Sequence, residues 1–341
     1  MNNSKVGVLL INLGTPDSPG VADVRRYLRE FLMDRRVIDI PWLNRFFLIN
    51  VIIAPTRAPQ SAKIYKELWT KDGSPLNIYG GQVKKLLQDR LGEHYQVAFG
   101  MRYQNPSLRA AMDELKNKGL QSIIVIPLYP QYASASTGST IEKVMEEIKH
   151  WEVIPTVKFV AQFFDDQLFI KAFAEIGRKY MSAKNYDHFI FSYHGLPERQ
   201  ILKSAVDGYC RLNDKCCSVV HAKNRYCYRA QCFQTTRLLV DALGIKKENY
   251  TVCFQSRLGK TPWIKPYTDE IIPELVRRGV QHVLAFSPSF VADCLETTIE
   301  IGVEYKKLFQ KHGGTTWDLV ESLNVSPIWI DCLKEMVLKD C

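Results

Sequence analysis

The chain has 341 residues, which is enough for two domains of ordinary size. Hydrophobic residues make up 46% and charged residues 24%, a composition that excludes a largely disordered protein. The 45 basic and 36 acidic residues leave a net charge of +9, which favours an anionic partner without choosing between nucleic acid, a lipid headgroup and a carboxylated small molecule.

The first apolar run covers Val6 to Leu13 and leads into Gly-Thr-Pro at residues 14–16. Only one basic residue precedes the run and no small-residue cleavage site follows it, so it predicts a first strand rather than a signal peptide. We therefore expect a cytoplasmic protein with reduced cysteines, in which clustered cysteines are metal ligands rather than disulfides.

The most apolar later stretch, Phe46 to Pro55, has about half of the ~20 residues that a membrane-spanning helix needs. Two interpretations stay open. The residues alone favour a buried helix, and the alternative is an exposed apolar lip that meets a flat apolar ligand or a membrane surface.

Short β-rich apolar runs alternate with longer amphipathic segments along the whole chain. In the first half, strands are predicted at Val6–Leu13, Tyr95–Gly100, Ser122–Leu128 and Val157–Phe163, and helices at Ser107–Lys118 and Thr140–Trp151. In the second half, strands are predicted at Asp187–Tyr193, Tyr250–Gln255 and His282–Phe286, and helices at Gln167–Met181, Thr235–Leu243, Asp269–Arg278 and Leu295–His312. The alternation predicts an α/β fold of two doubly wound halves with parallel sheets, residues 1–165 and 166–341.

Function is expected just beyond the carboxyl ends of the strands, where ligands bind in such sheets. No GxGxxG or GxxxxGK(S/T) motif occurs, which disfavours a dinucleotide or nucleoside triphosphate. His194 follows a predicted strand and precedes Gly-Leu-Pro. A lone histidine is usually structural, but at a strand end a neutral imidazole can accept a proton or bind a metal such as ferrous iron.

Three glutamates follow the strand that ends near Phe286. Glu296, Glu300 and Glu304 are spaced i, i+4, i+8, which places them along one face of an α-helix that begins just after Asp293. A solvated acidic face is the common meaning of such a run. At the ligand edge of a sheet, the run instead predicts an entry route for a divalent metal.

Five of the nine cysteines fall within 23 residues, with the spacing C-x5-C-C-x9-C-x4-C. They are Cys210, Cys216, Cys217, Cys227 and Cys232. Four thiolates are the ligand set of a structural zinc or of an iron–sulfur cluster, and the spacing matches no zinc ribbon or ferredoxin pattern. The segment therefore predicts a metal without identifying it.

Aromatic residues gather at the predicted strand ends together with one arginine, Arg102. The aromatic residues are Tyr103, Tyr129, Tyr132, Trp263 and Phe290. Such a set can line a wide, flat, apolar pocket with a cation at its rim, which suits a planar macrocycle carrying carboxylates. The basic residues are dispersed and no recognition motif accompanies them, so no nucleic acid partner is expected.

From Val6 to about Val337 the sequence resembles the ferrochelatase family. The shared motifs are INLGTPDSP at 11–19, YPQYxxxSTGS at 129–139, SYHGLP at 192–197, FQSRLGKTPWIKPYTDE at 254–270 and FVADCLETTIE at 290–300. The resemblance implies two Rossmann-like halves without a nucleotide. It also implies insertion of ferrous iron into protoporphyrin IX, the final step of haem biosynthesis, with release of two protons. A coproporphyrin substrate, a sirohydrochlorin or cobalt-type chelatase and a non-enzymatic iron–sulfur sensor are the alternatives.

The resemblance also assigns site residues. It implies that His194 accepts a pyrrole proton and contacts the iron, that Glu296 faces it across the active-site cleft, and that Glu300 and Glu304 extend the acidic helix. The implied porphyrin-binding residues are Leu13, Arg102, Tyr132, Ser136, Trp263 and Phe290. Residues 32–59 resemble a lip at the pocket mouth, which favours the exposed lip over the buried helix and makes peripheral membrane contact an expectation.

The clustered cysteines occupy an insertion at about 208–232, where some bacterial ferrochelatases resemble this chain in carrying an internal [2Fe–2S] cluster. The resemblance favours that cluster over zinc, with Cys210, Cys217, Cys227 and Cys232 as ligands and Cys216 able to replace Cys217. Cys294 stands where animal enzymes carry a histidine, so the resemblance implies no metal role there. The sequence does not determine the oligomeric state.

Overall fold

A computed structural model of the protein describes residues 5–116, 118–257, 259 and 261–339. The chain divides into two compact units. The first comprises Met1–Tyr129, Ala133–Gln162 and Ile330–Cys341, and the second comprises Pro130–Tyr132 and Phe163–Trp329. The sequence analysis places one boundary near residue 165. In the structure, residues 130–132 also group with the second unit and residues from 330 onwards with the first.

The first unit contains a parallel four-stranded sheet in the order β2-β1-β3-β4. The strands are β1 (Lys5–Gly14), β2 (Tyr95–Tyr103), β3 (Leu120–Pro127) and β4 (Thr156–Phe159). All four form where the apolar runs predict strands. The β1 side chains are buried on both faces of the sheet, which explains why its sequence is continuously apolar instead of alternating.

Helices flank this sheet, and two of them contain π-helical turns. They are α1 (Val21–Met33), α2 (Trp42–Phe47), π1 (Leu48–Ile53), α3 (Ala54–Leu68), α4 (Pro75–Leu91), α5 (Leu108–Leu115), π2 (Ser134–Gly138) and α6 (Ser139–Ile148). The helix predicted at Thr140–Trp151 is thus extended at its start by π2. Apolar side chains of α5 and α6 pack with Leu9 and Ile11 of β1 to form one face of the core.

The second unit repeats the same topology, with a parallel sheet in the order β6-β5-β7-β8. The strands are β5 (His188–His194), β6 (Tyr250–Gln255), β7 (His282–Phe286) and β8 (Thr316–Leu319). Phe191 of β5 and Phe286 of β7 stack with their ring centroids 4.9 Å apart. The sequence analysis missed β8, a four-residue edge strand in which only Trp317 is buried, too short to show a period.

The remaining helices follow the strands in turn. They are α7 (Gln167–Ala183), α8 (Glu198–Lys203), α9 (Asp214–Cys217), α10 (Tyr228–Leu243), α11 (Thr268–Arg277), π3 (Leu295–Tyr305), α12 (Lys306–Lys311) and α13 (Pro327–Lys339), with a short 3₁₀ turn at Lys247–Asn249. The two doubly wound α/β halves predicted from the sequence are confirmed. The single α-helix predicted at Leu295–His312 is wrong in part, because its first eleven residues form the π-helix π3.

The buried-helix interpretation of Phe46–Pro55 is wrong. This stretch runs from α2 through π1 into α3, and most of its large side chains face solvent: Phe47 is 55%, Val51 62% and Ile52 55% exposed, while Ile49 is buried. Trp42 and Leu43 extend the same exposed apolar surface, which we call the lip surface. Within the described ranges, no helix is both long and apolar enough to cross a membrane.

One buried histidine makes the stability of the second unit dependent on pH. His188, the first residue of β5, is 3% exposed and its Nε2 lies 2.9 Å from the Thr251 hydroxyl. Burial, with a contribution from the positive charge of Arg278, lowers the pKa of His188 to about 4. The folded protein therefore keeps this imidazole neutral at a pH where the unfolded chain protonates it.

We predict that this difference destabilises the protein as the pH falls from about 6.5 towards 4, since the unfolded state binds the extra proton. The contribution of neutral His188 to the free energy of unfolding is fully present above the pKa that the histidine has in the unfolded chain. From the difference between the two pKa values, the loss is about 3 kcal/mol near pH 4. Urea unfolding of wild type and His188→Gln across this range measures it. The variant should lack this component of the pH dependence, and equal slopes in the two proteins would contradict the assignment.

Candidate functional site

His194 is the last residue of β5 and lies at the carboxyl edge of the second sheet. Its Nδ1 is 2.7 Å from the Gly195 carbonyl oxygen, which can only accept a hydrogen bond, so Nδ1 carries the ring proton. Nε2 of the neutral ring then keeps its lone pair and can accept a proton or bind a metal. The geometry therefore fixes the direction of the imidazole ring and its tautomer.

Gly195 permits two neighbours to approach the histidine closely. A Cβ at this position would lie 2.7 Å from the Gln255 carbonyl oxygen and 3.2 Å from the Trp263 indole. Any larger residue would push both away from the end of β5. The glycine of the SYHGLP motif therefore places Trp263, a predicted porphyrin-binding residue, beside His194.

Phe290 brings a second aromatic side chain to the same place. It lies in the loop after β7, with its ring centroid 6.5 Å from that of His194 and the planes inclined by 63°. Trp263 and Phe290 are both partly exposed. The structure thus joins three of the predicted site residues into an apolar-walled corner with an imidazole in it.

Glu300, the second glutamate of the predicted run, is held by a dense set of donors. The Ser256 N–H and hydroxyl donate to its carboxylate at 3.0 and 2.5 Å, Gln255 Nε2 at 3.2 Å and the Tyr305 hydroxyl at 3.0 Å. Burial raises the pKa of Glu300, against the opposing effects of the Ser256 hydrogen bonds and of a positive charge on His194. This carboxyl therefore holds a proton more readily than an exposed glutamate does.

The three glutamates differ in burial. Glu304 is exposed, Glu296 is partly buried in the first turn of π3, and Glu300 faces the interior. A π-helix bonds residue i to i+5, so the even α-helical ladder predicted from the i, i+4 spacing is not what forms. The run still leads from solvent at Glu304 to the buried carboxyl of Glu300.

Cys294 caps π3. Its thiol accepts the N–H of Thr297, and its own N–H donates to the Thr297 hydroxyl at 3.0 Å. Only 6% of Cys294 is exposed. Cys294 thus has a structural role at the start of the acidic helix.

The sequence analysis missed the residues that orient Glu300. Gln255 and Ser256 end β6, and Ser256 has a φ of +65°, a conformation that costs energy in a residue other than glycine. The long motif FQSRLGKTPWIKPYTDE, at a strand's carboxyl end, was the available signal. Tyr305 gave none, because the direction of the eleventh residue of a helix is not fixed before the helix type is known.

At the edge of the first sheet, Arg102 is already paired. Its guanidinium donates to the Asp34 carboxylate at 2.7 Å and to the Ser139 hydroxyl at 2.8 Å. Burial would raise the pKa of Asp34, but the hydrogen bond from Ser139, a backbone hydrogen bond and the charge of Arg102 hold it below its usual value. The cation predicted for a pocket rim is therefore partly neutralised by Asp34, which the sequence analysis missed.

Two other predicted residues of the first unit lie at the same edge. Leu13 is partly buried near the end of β1, and Ser136 is partly buried in π2. Gly14 follows Leu13 with a φ of +129°, and a Cβ there would lie 2.1 Å from the Tyr103 carbonyl oxygen. The glycine of the INLGTP motif therefore allows the ends of β1 and β2 to close on each other.

Tyr132 belongs to the short segment that groups with the second unit. Its N–H donates to the Gln231 side chain of α10 at 2.6 Å, and its ring meets the edge of Tyr226 at 5.2 Å between centroids. The predicted porphyrin-binding tyrosine is therefore anchored to the helix that follows the cysteine segment.

Four of the clustered cysteines contact each other in pairs. The Sγ atoms of Cys216 and Cys217 are 3.9 Å apart, Cys210 lies within hydrogen-bonding reach of Cys216, and Cys217 lies within reach of Cys227. The hydrogen bond from Cys217 lowers the pKa of Cys227. Cys232 instead sits fully buried in α10, beside the Tyr228 hydroxyl.

Across the part of the chain that the structure describes, no three histidine, cysteine, aspartate or glutamate side chains are arranged to hold a metal ion. This applies to the cysteine segment and to the glutamates of π3 alike. The free thiols are nevertheless clustered, and Cys210, Cys216 and Cys227 line one small cavity.

Comparison with known proteins gives a consistent result. Residues 5–341 match the model of the family described as ferrochelatase. A ferrochelatase of Legionella pneumophila (strain Lens) is 46% identical over 331 residues, covering 97% of this chain and 98% of the relative. A ferrochelatase of Coxiella burnetii (strain Dugway 5J108-111) is 42% identical over 339 residues, covering 99% and 94%.

Solved structures of chelatases share the fold at much lower identity. The sirohydrochlorin chelatase SirB from Bacillus subtilis subspecies spizizenii, in complex with cobalt, matches with a TM-score of 0.55 at 9% identity, covering 98% of this chain and 94% of the other. SirB from Bacillus subtilis with Fe³⁺ matches with a TM-score of 0.55 at 11% identity, covering 98% and 95%. At such identities the likeness concerns the fold alone.

Proposed function

The chain belongs to the ferrochelatase family and is a metal chelatase that inserts iron into a porphyrin for haem synthesis, and we propose that its porphyrin is protoporphyrin IX. The observation that carries the proposed site is the orientation of His194. Its Nδ1 proton is committed to the Gly195 carbonyl, so Nε2 is the basic nitrogen beside the aromatic walls of Trp263 and Phe290.

The reaction exchanges two porphyrin N–H protons for one Fe²⁺, and the iron keeps its oxidation state. The inner protons of a flat macrocycle are poorly accessible, so holding the ring bent exposes them to a base. We assign this role to Trp263, Phe290 and Tyr132, whose aromatic faces supply the binding energy. His194 Nε2 then accepts the first pyrrole proton.

The acidic residues of π3 would carry the iron in and the protons out. Exposed Glu304 is suited to attract hydrated Fe²⁺ from solvent, and partly buried Glu296 to deliver it. Glu300, with its raised pKa, is suited to take up a proton and pass it on. Leu13, Arg102 and Ser136 of the first unit stay predicted porphyrin contacts.

We predict that His194→Ala lowers kcat for metallation by about 10² to 10⁴, while the porphyrin still binds, since the variant removes the base and leaves the aromatic walls. Anaerobic incubation with Fe²⁺ and protoporphyrin, read by the visible spectrum, measures turnover, and fluorescence quenching measures binding. His188→Gln, at the buried start of the same strand, is the matched control and should keep its turnover at neutral pH. Near-normal turnover in His194→Ala would refute the base assignment.

The same assay tests the porphyrin. Protoporphyrin should be metallated with Fe²⁺ faster than coproporphyrin is. Insertion of Fe²⁺ into protoporphyrin should also be faster than insertion of Co²⁺ into sirohydrochlorin. Preference for either competitor would replace the proposed substrate.

Glu296→Gln should lose iron insertion, and unchanged iron kinetics would count against the delivery role.

We also propose that Cys210, Cys216, Cys217 and Cys227 bind a [2Fe–2S] cluster. Their pairwise contacts and shared cavity support this set, and thiolates are the usual ligands of such clusters. The thiols must draw together to bind it, because as placed they do not form a closed ligand set. We leave Cys232 out of the set, because its fully buried thiol hydrogen-bonds with Tyr228 and not with another of the clustered cysteines.

Anaerobically purified protein should therefore be coloured and contain two irons per chain. Cys216→Ala should lose the colour and the iron, whereas Cys232→Ala should keep both, because only Cys216 belongs to the contacting set. Absorption spectra and metal analysis measure the outcome. A colourless protein containing one zinc would contradict the cluster, and loss of colour in Cys232→Ala would restore the ligand set expected from the sequence.

The lip surface supports a further proposal, that the protein contacts membranes peripherally. Trp42, Phe47 and Val51 are more than half exposed in one short segment, which is unusual for apolar side chains without a partner. Cosedimentation with anionic liposomes should be strong for wild type and weak for a Phe47→Ser, Val51→Ser double variant. Equal sedimentation of the two proteins would refute the contact.

A further inference from the structure

The main-chain carbonyl of His194 accepts a hydrogen bond from a side chain that lies outside the sheet. The Tyr228 hydroxyl donates to this oxygen at 2.8 Å. The pairing of β5 with β7 ends at Phe191 and Phe286, so His194 lies beyond its last partner on that side. A buried carbonyl without a partner is costly. Tyr228 therefore supplies the partner that β7 does not.

The Tyr228 hydroxyl is itself held in place. Tyr228 is 7% exposed, and its hydroxyl lies within hydrogen-bonding reach of Ser289. The main-chain N–H of His194 in turn donates to Ser289 Oγ at 3.4 Å. Burial raises the pKa of Tyr228, so the hydroxyl stays protonated and remains a donor. Both main-chain groups of His194 thus meet side chains of one small network.

Tyr228 is also the first residue of α10, directly after the N-cap Cys227. The next residue, Arg229, donates from Nη1 to Cys217 Sγ at 3.1 Å and to the Asn213 carbonyl at 3.2 Å. Two adjacent residues therefore contact the catalytic histidine and the cysteine segment. Cys227, Tyr228 and Arg229 are consecutive residues at the start of α10, so the cysteine segment and His194 are connected through a single helical turn.

We propose that Tyr228 is a positioning residue for His194. We also propose that a displacement of the cysteine segment at Cys217 changes the orientation of His194 through Tyr228. The inference rests on the proposed role of His194 as the base. The peptide that carries the His194 carbonyl also carries the Gly195 N–H, which donates to the Gln255 carbonyl at 2.8 Å, and the Gly195 carbonyl in turn holds Nδ1. Losing the Tyr228 hydrogen bond frees this peptide and, with it, the direction of Nε2.

The test compares Tyr228→Phe with Tyr193→Phe in the full-length protein. Tyr193 is the matched control because its buried hydroxyl pairs with Thr236 at 2.8 Å, which links the same strand to the same helix through another pair of groups. Both variants should lower Tm to a similar extent. Only Tyr228→Phe should lower kcat, by roughly tenfold, with the KM values for iron and porphyrin unchanged. An equal kcat loss in both variants, or none in Tyr228→Phe, would overturn the positioning role.

Transmission is tested by adding Cys217→Ser to wild type and to Tyr228→Phe. If the signal passes through Tyr228, Cys217→Ser lowers kcat and shifts the ¹⁵N NMR resonances of the His194 imidazole in wild type, and has no further effect in Tyr228→Phe. Independent, multiplicative effects would overturn the transmission. If Tyr228→Phe does not fold, Ser289→Ala replaces it, and unchanged kcat and imidazole resonances there would overturn the proposal.

The NMR measurement distinguishes failure of the proposed iron insertion from failure of the positioning role of Tyr228. If wild type inserts no iron, the proposed function fails, but the imidazole resonances still report whether Tyr228 fixes His194. If wild type is active and the imidazole does not respond to Tyr228→Phe, the inference alone fails.

Discussion

The uneven ending of strand pairing around β5 is the constraint on which the site depends. β5 pairs with β6 as far as His194 and Gln255, but with β7 only as far as Phe191. The last residues of β5 therefore project beyond the sheet on one side. Main-chain groups that a neighbouring strand would satisfy are met there by side chains, and the Phe290 ring lies beside the His194 imidazole.

Gln255 extends this constraint to the acidic helix. It is 2% exposed, its Oε1 accepts from the Ser192 hydroxyl, and its Nε2 donates to the Glu296 carbonyl and the Glu300 carboxylate. One buried amide thus ties β5 to two residues of π3. The four donors offset only part of the free-energy cost of burying the Glu300 carboxylate, so its pKa stays raised.

The cysteine segment has a different relation to the chemistry. Iron insertion leaves the oxidation state of the metal unchanged, so a redox-active cluster is not a reactant in it. The contacts of the segment run instead through α10, since Arg229 donates to Cys217 Sγ and Tyr228 donates to the His194 carbonyl from adjacent positions. The coupling that we propose acts on the orientation of His194, and not on the iron or the porphyrin.

Taken by itself, the sequence determined the fold class, the repeated halves and the family, because buried parallel strands are continuously apolar and long motifs occur at their carboxyl ends. It also predicted His194 and Glu296 as site residues. The tertiary structure decided the rest. Only the fold shows that Asp34 pairs with Arg102, that Ser256 and Tyr305 hold Glu300, that the acidic helix is π-helical and that Tyr228 reaches His194. These are contacts between residues distant in sequence or dependent on helix geometry, and hydrophobic periodicity carries no information about either.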